Sequence, residues 1–232
     1  ELHRAMRAGH TLGLDDSHSM LESARAALAS ASPPVDGVEF ACGRLQDWQA
    51  EGPVDLVFAN ASLQWVPDHP RLLAGVAGQV APGGQLAFQV PANHDHPSHR
   101  VAERLGAEWG LETRGGAANV LAPETYAELL HELGLDQIEV RLQVYGFELD
   151  RAEELVEWTK GTLLTGYRAQ LDRADSASPA DRAPPADPAA PGEPGTYDAF
   201  VDEYRARLVA EVGPRAPYYY AFKRILAWSR RP

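Results

Sequence analysis

The chain has 232 residues and a formal net charge of -12, which sets an acidic surface against DNA, RNA and anionic lipid as partners. Hydrophobic residues make up 44%, enough for one large domain or a domain with a smaller cap, and no apolar run reaches the ~18 residues that span a bilayer. The single cysteine, Cys42, rules out an internal disulfide, and with no apolar leader over Glu1–His10 a cytoplasmic protein is expected.

Glu1–Arg7 reads as the end of a helix, punctuated by Gly9, and His10–Asp15 as a short buried strand. Ser17 is placed to cap a helix with Met20, Leu21, Ala24, Ala27 and Leu28 on one face, ended by Pro33 and Pro34. Val38–Gly43 is the next strand. Val54–Asn60 (VDLVFAN) is an unbroken apolar run after an acidic start, the pattern of a strand buried on both faces of a parallel sheet. A helix follows over about 69–80, then a Pro82–Gly83–Gly84 turn and a strand at Gln85–Val90. Strands and helices alternating across short connections argue for a doubly wound α/β sheet.

Beyond that point helices are expected at Ser98–Trp109, Pro123–Leu133, Arg151–Leu171 and Tyr197–Val212, and strands at Gln137–Leu149 and Tyr218–Ser229. The Ala/Pro/Asp/Ser-rich stretch 174–195 cannot bury enough apolar surface to offset its ordering entropy, so a mobile loop is expected there. The expected organisation is a core over 1–149, a helical cap over 150–216 that contains this loop, and a last strand over 217–232 returning to the core sheet.

Three segments carry candidate chemistry. Asp15 ends a strand just before a helix, where an acidic side chain accepts from ribose hydroxyls roughly 20 residues after a glycine-rich turn; the alternative is that Asp15 or Asp16 caps the helix. Asn60–Trp65 (NASLQW) follows VDLVFA at the carboxyl end of a strand, where open α/β sheets place ligands; the alternative is a loop whose Trp65 plugs the core. Gln89–His99 (QVPANHDHPSH) follows the next strand and holds His94, His96 and His99. Pro97 breaks regular geometry there and no carboxylate triad accompanies the histidines. A polar-substrate site is therefore favoured over a metal site, and no metal is expected.

GLDDSHSM at 13–20, DLVFANASLQWVPDH at 55–69 and QVPANHDHPSH at 89–99 resemble, in order and spacing, the corresponding segments of the trans-aconitate 2-methyltransferases, which are class I methyltransferases dependent on S-adenosylmethionine. The similarity continues weakly through EWTKGTLL at 157–164 to AFKRILAW at 221–228. It implies a Rossmann-like, mostly parallel α/β sheet with a helical cap, whose first strand and glycine-rich loop would precede Glu1. It also implies roles. Asp15, with Ser17 beside it, would hold the ribose of S-adenosylmethionine, Met20 and Leu45 would line the adenine, and Asn60 and Ala61 would meet the methionine end. Gln64 and Trp65 would border the methyl group and the acceptor, and Gln89, Asn93 and His99 would face the substrate. Arg44 stands where the family usually carries an acidic residue near the adenine amino group, and a guanidinium cannot accept a hydrogen bond.

The resemblance implies a monomethyl ester formed on trans-aconitate or a similar small polycarboxylate. A carboxylate with a pKa of about 4 is ionised at pH 7, so no catalytic base is expected, only positioning by Gln64 and Trp65. Arg224 is the candidate partner for a second carboxylate, or else a solvent-facing edge residue, and Tyr218 and Tyr219 are weaker candidates. A monomer is expected. A carboxyl methyltransferase of another acid, such as a carrier-bound malonyl group, and an inactive fragment are the alternatives.

Overall fold

A computed structural model describes residues 1–112, 119–176 and 196–232. Helix α1 (Leu2–Met6) precedes strand β1 (Thr11–Asp15), which pairs in parallel with β2 (Val38–Cys42), Asp15 opposite Cys42. Helix α2 (His18–Ala29) joins the two strands and packs on both. Ser17 is its N-cap, its Oγ accepting from the Met20 amide at 3.4 Å. Of the apolar face expected on α2, Leu21 is buried but Met20 and Ala27 are exposed, because the sheet beneath α2 is two strands wide among the described residues.

The second sheet has four strands in the order β3 (Val54–Asn60), β4 (Val80–Pro91), β6 (Tyr218–Arg230) and β5 (Asp136–Leu149). β3 and β4 are parallel with Asn60 opposite Gln89, and β6 is antiparallel to both of its neighbours. β3, β4 and β5 therefore run one way and β6 returns between β4 and β5. Strands linked by helices in this manner make the Rossmann-like α/β fold read from the sequence. On one face, Leu72, Leu73 and Val76 of α3 (His69–Ala77) and Tyr126 and Leu130 of α5 (Pro123–Glu132) bury Leu86, Phe88, Val90, Ile225 and Ala227. Each such aliphatic side chain contributes about 1.5–3 kcal/mol on burial.

A helical layer forms the second core. Val101 and Leu105 of α4 (Pro97–Glu108), Leu155 of α6 (Glu154–Lys160), Leu171 of α7 (Thr165–Ser176) and Phe200, Tyr204 and Leu208 of α8 (Tyr197–Val212) enclose it, with Tyr218 and Tyr220 of β6 as its floor. Phe200 stacks on Tyr167 at 5.1 Å and meets Trp109 edge-on at 5.3 Å. A Cβ on Gly106 would stand 2.5 Å from the Tyr167 ring, so glycine is what lets α7 approach α4.

Four sequence expectations are corrected. The strands expected to be buried are partly open: β1 has no fully buried residue and Phe58 of β3 is 49% exposed, because among the described residues β3 pairs with β4 alone and α2 covers β1 and β2 instead. The Pro82–Gly84 turn lies inside β4 as a bulge, where the register jumps from Val54–Val80 to Leu56–Gln85. Pro97 does not break regular structure but opens α4 at its first turn, where a missing N–H costs nothing. The single helix expected over 151–171 is two helices, since the chain turns at Gly161 and carries Leu164 into the core. The segment expected to be a mobile loop, 174–195, lies outside the described residues apart from the end of α7. Among the described residues no helix is long and apolar enough to cross a membrane.

Candidate functional site

The carboxyl ends of β3 and β4 build one polar cluster. β3 ends at Asn60, and Ala61 then takes a left-handed conformation, φ 52°, that turns the chain out of the sheet. The Ala61 amide still donates to the Gln89 carbonyl at 3.0 Å, so the turn stays tied to β4. Such backbone costs energy for a residue with a side chain and persists where the surroundings enforce it. Leu63–Trp65 follows as one 3-10 turn with Leu63 and Gln64 buried. Trp65 is 59% exposed, so it stands at the crest of the loop and does not plug the core.

Inside this loop the amides are only partly satisfied. Gln64 Nε2 donates to the Ala61 carbonyl at 2.7 Å, and Gln89 Nε2 donates to Asn60 Oδ1. The other ends of both glutamines, Gln64 Oε1 and Gln89 Oε1, are buried without a hydrogen-bond partner among the described residues. Unpaired buried acceptors cost about 1–3 kcal/mol each, and two of them flanking one strand end make a place where a ligand's donors would be held. Directly paired residues share a sheet face, so Asn60, Gln89 and Leu226 lie on one face, with Pro91, Arg224 and Gln143 in the next row. Arg224 carries its guanidinium 5.0 Å over the Phe222 ring. Among the described residues it pairs with no carboxylate.

The segment after β4 is clipped to β6. The Ala92 amide donates to the Lys223 carbonyl at 3.0 Å, and Asn93 Nδ2 donates to the same carbonyl at 3.1 Å. The Lys223 amide donates back to Asn93 Oδ1 at 2.7 Å, and Lys223 Nζ binds the Asp95 carboxylate at 2.6 Å. Asn93 is thus buried with its amide engaged by backbone, a different use from the substrate contact expected of it. His96 Nδ1 accepts from the Ser98 amide at 3.2 Å, which leaves Nε2 as donor to the Tyr218 hydroxyl at 3.2 Å. His99 Nδ1 lies 3.2 Å from Ser98 Oγ. Burial, together with the neighbouring His96 and His94, pushes the His99 imidazole down to about 4. His99 is therefore neutral at pH 7, a hydrogen-bonding group and not a cation.

Asp15, Ser17 and Met20 stand at the carboxyl end of β1, in the other sheet. Asp15 Oδ1 accepts from the Ser17 amide at 2.9 Å at the entry to α2, and the N-cap is Ser17, not Asp15 or Asp16. Met20 is 60% exposed on the first turn of α2. Leu45, just past β2, packs against the apolar cluster that contains Ala59 and Leu63. Arg44 is exposed and spends its guanidinium on Asp47 at 2.8 Å. The structure therefore gathers Asn60, Ala61, Gln64, Trp65 and Gln89, sets Arg224 beside them, and carries Asn93 and His99 on the adjoining segment. Sequence reading missed His69, Tyr126, Ser98 and Asn119. His69 lies in the quoted motif, but its partner Tyr126 is 57 positions away and no local pattern signals the contact.

A family model described as a methyltransferase domain matches residues 14–140. A trans-aconitate 2-methyltransferase of Deinococcus radiodurans is 42% identical over 95% of this chain and 77% of its own length. One of Streptomyces coelicolor bearing the same name is 36% identical over 95% of this chain and 68% of its own. Among solved structures, phosphoethanolamine N-methyltransferase 2 of Haemonchus contortus, in complex with S-adenosyl-L-methionine, aligns with 100% of this chain at a TM-score of 0.53 and 16% identity. This chain spans 45% of that protein, and the likeness is one of fold.

Proposed function

The chain belongs to the trans-aconitate 2-methyltransferase family, and we propose that its protein uses S-adenosylmethionine to form the monomethyl ester of trans-aconitate or a similar small polycarboxylate. The observation that carries the acceptor class is Arg224, a guanidinium without a carboxylate partner among the described residues, on the same sheet face as Asn60 and Gln89. Planar guanidinium pairs bidentately with carboxylate. The formal charge of -12 weighs against nucleic acid as the acceptor. The reading includes a cytoplasmic monomer.

The donor set fits the cofactor. The Asp15 carboxylate keeps an oxygen beyond the one that Ser17 uses, suited to a ribose hydroxyl. Gln64 Oε1 and Gln89 Oε1 are acceptors without donors among the described residues, by the end of β3, where a cationic methionine end would supply them. Asn60 and Ala61 border the same place, and Ser17, Met20 and Leu45 line the adenosine side. When bound, S-adenosylmethionine supplies a sulfonium methyl group to an oxygen nucleophile.

What remains for the chain is orientation. The acceptor carboxylate is already ionised at pH 7, so no side chain has to remove a proton. Trp65 and Gln64 close over the acceptor and exclude water, and holding the reacting atoms in line is worth several kcal/mol, up to about 7–11. Arg224 binds a carboxylate other than the one being methylated, and neutral His99 adds a hydrogen bond without competing charge. Transfer of a labelled methyl group to a panel of small polycarboxylates tests the reading, with malonyl-carrier substrates as the competing arm.

A further inference from the structure

The loop that carries Gln64 and Trp65 is braced from beneath by buried groups to which the function above gives no role. His69 at the start of α3 and Tyr126 of α5 are both buried. His69 Nε2 lies 2.9 Å from the Leu63 carbonyl and Nδ1 lies 2.6 Å from the Tyr126 hydroxyl. A carbonyl only accepts, so Nε2 carries the ring proton and Nδ1 accepts from Tyr126. The Tyr126 oxygen in turn accepts from the Leu121 amide at 3.3 Å. The direction of every bond in this chain is thereby fixed. A doubly protonated ring would turn a second N–H on the Tyr126 oxygen and strip the hydroxyl hydrogen of its acceptor, and burial holds the His69 imidazole below its ordinary value.

A second brace comes from the same stretch. Asn119 Nδ2 donates to the Gln64 carbonyl at 3.0 Å. Two successive carbonyls of the loop are therefore held from outside it, that of Leu63 by His69, which Tyr126 orients, and that of Gln64 by Asn119. The loop needs holding. It is entered at Ala61, φ 52°, and left at Asp68, φ 56°, both rare for residues with side chains. Its one turn is closed by the Trp65 amide on Ser62 at 3.2 Å and the Val66 amide on Leu63 at 2.9 Å, with Gln64 Nε2 on the Ala61 carbonyl. The exposed Trp65 ring gives little anchorage of its own.

We propose that His69 and Tyr126 are positioning residues whose hydrogen-bond chain fixes the Leu63 carbonyl and, with it, the placement of Gln64 and Trp65 against the methyl acceptor. The proposal rests on the reading that the Asn60–Trp65 loop borders that acceptor.

The test uses the full-length enzyme with His69→Gln, His69→Asn and Tyr126→Phe. Glutamine can place an N–H near the position of Nε2 and keep the Leu63 bond, whereas asparagine reaches only as far as Nδ1. Amide exchange over 62–66 is measured together with kcat, acceptor KM and cofactor Kd, using whichever acid the wild type methylates. The Asn and Phe variants are expected to exchange the Trp65 and Val66 amides about tenfold faster and to lose about tenfold in kcat. Cofactor Kd rises as well, since Gln64 also meets the methionine end, and the Gln variant, which keeps the Leu63 bond but gives Tyr126 no acceptor, falls between wild type and Asn in both protection and kcat. Unaltered exchange or kcat in a folded His69→Asn or Tyr126→Phe enzyme overturns the proposal, as does a Gln variant no better than Asn. Tyr126→Phe removes a single oxygen and decides the matter should His69→Asn not fold. Failure of the polycarboxylate reading is seen in the wild type's choice of acceptor, and failure of the brace is seen in the variants.

Discussion

Lowering the pH from 7 to 5 should loosen the substrate side of this protein before it touches the carboxylates. His99 has its folded value pushed to about 4 from 6.5, first by burial and then by His96 and His94. His69 and His96 are lowered too, again mainly by burial. A histidine depressed in the folded state lets the unfolded chain bind more protons between the two values. Its stabilising effect is therefore complete above pH 6.5 and is lost as the pH falls toward 4. At pH 5, about 1.5 units below the ordinary histidine value, His99 alone costs about 2 kcal/mol. For a protein of this size that is a fall of roughly 4–8 °C in Tm. Asp95, Glu108 and Glu211 are held below the usual carboxylate range by Lys223, Arg207 and Arg104, so their contributions disappear only at more acid pH, outside this window. The assay is calorimetry of wild type and His99→Gln at pH 7, 6 and 5. The wild type should lose more Tm across the range than the variant. Equal slopes, or a steeper loss in the variant, would refute the view that a buried neutral His99 governs the acid response.

Arg224→Ala should raise acceptor KM about 10- to 100-fold with cofactor Kd unchanged, the loss of one charge-assisted contact of about 1.5–3 kcal/mol; steady-state kinetics and calorimetric titration check the split. Asp15→Ala should do the reverse, weakening the cofactor and leaving acceptor KM within about twofold, read by the same two measurements. Asn93→Ala should cost about 1–3 kcal/mol in denaturant unfolding, because the Lys223 amide and carbonyl lose their partner. Leu105→Ala, in the core between the helices, should cost about 2–5 kcal/mol by the same assay.

Much of the fold was legible because its signals are local. α8 matches its periodic segment from Tyr197 to Val212, and β5 and β6 match theirs within one residue. The Asn60–Trp65 loop was legible as a polar break at a strand end, whereas the bond that ties Gln89 to Asn60 joins two strands and has no local signal. What escaped depends on partners far away in sequence. The exposure of Phe58 follows from which helix covers which strand, not from the apolar run itself. The engagement of Asn93 depends on Lys223, and that of His69 on Tyr126. The break at Gly161 is set by the depth at which Leu164 must be buried, which composition does not encode.

The decisive measurement is transfer of labelled methyl from S-adenosylmethionine, by the full-length protein, to trans-aconitate, other small polycarboxylates, monocarboxylates and carrier-bound malonyl groups. The site described here predicts label in a monomethyl ester, with trans-aconitate near the top of the series and monocarboxylates, which offer Arg224 nothing to bind, near the bottom. Label found only on protein, nucleic acid or carrier-bound acyl groups would contradict it.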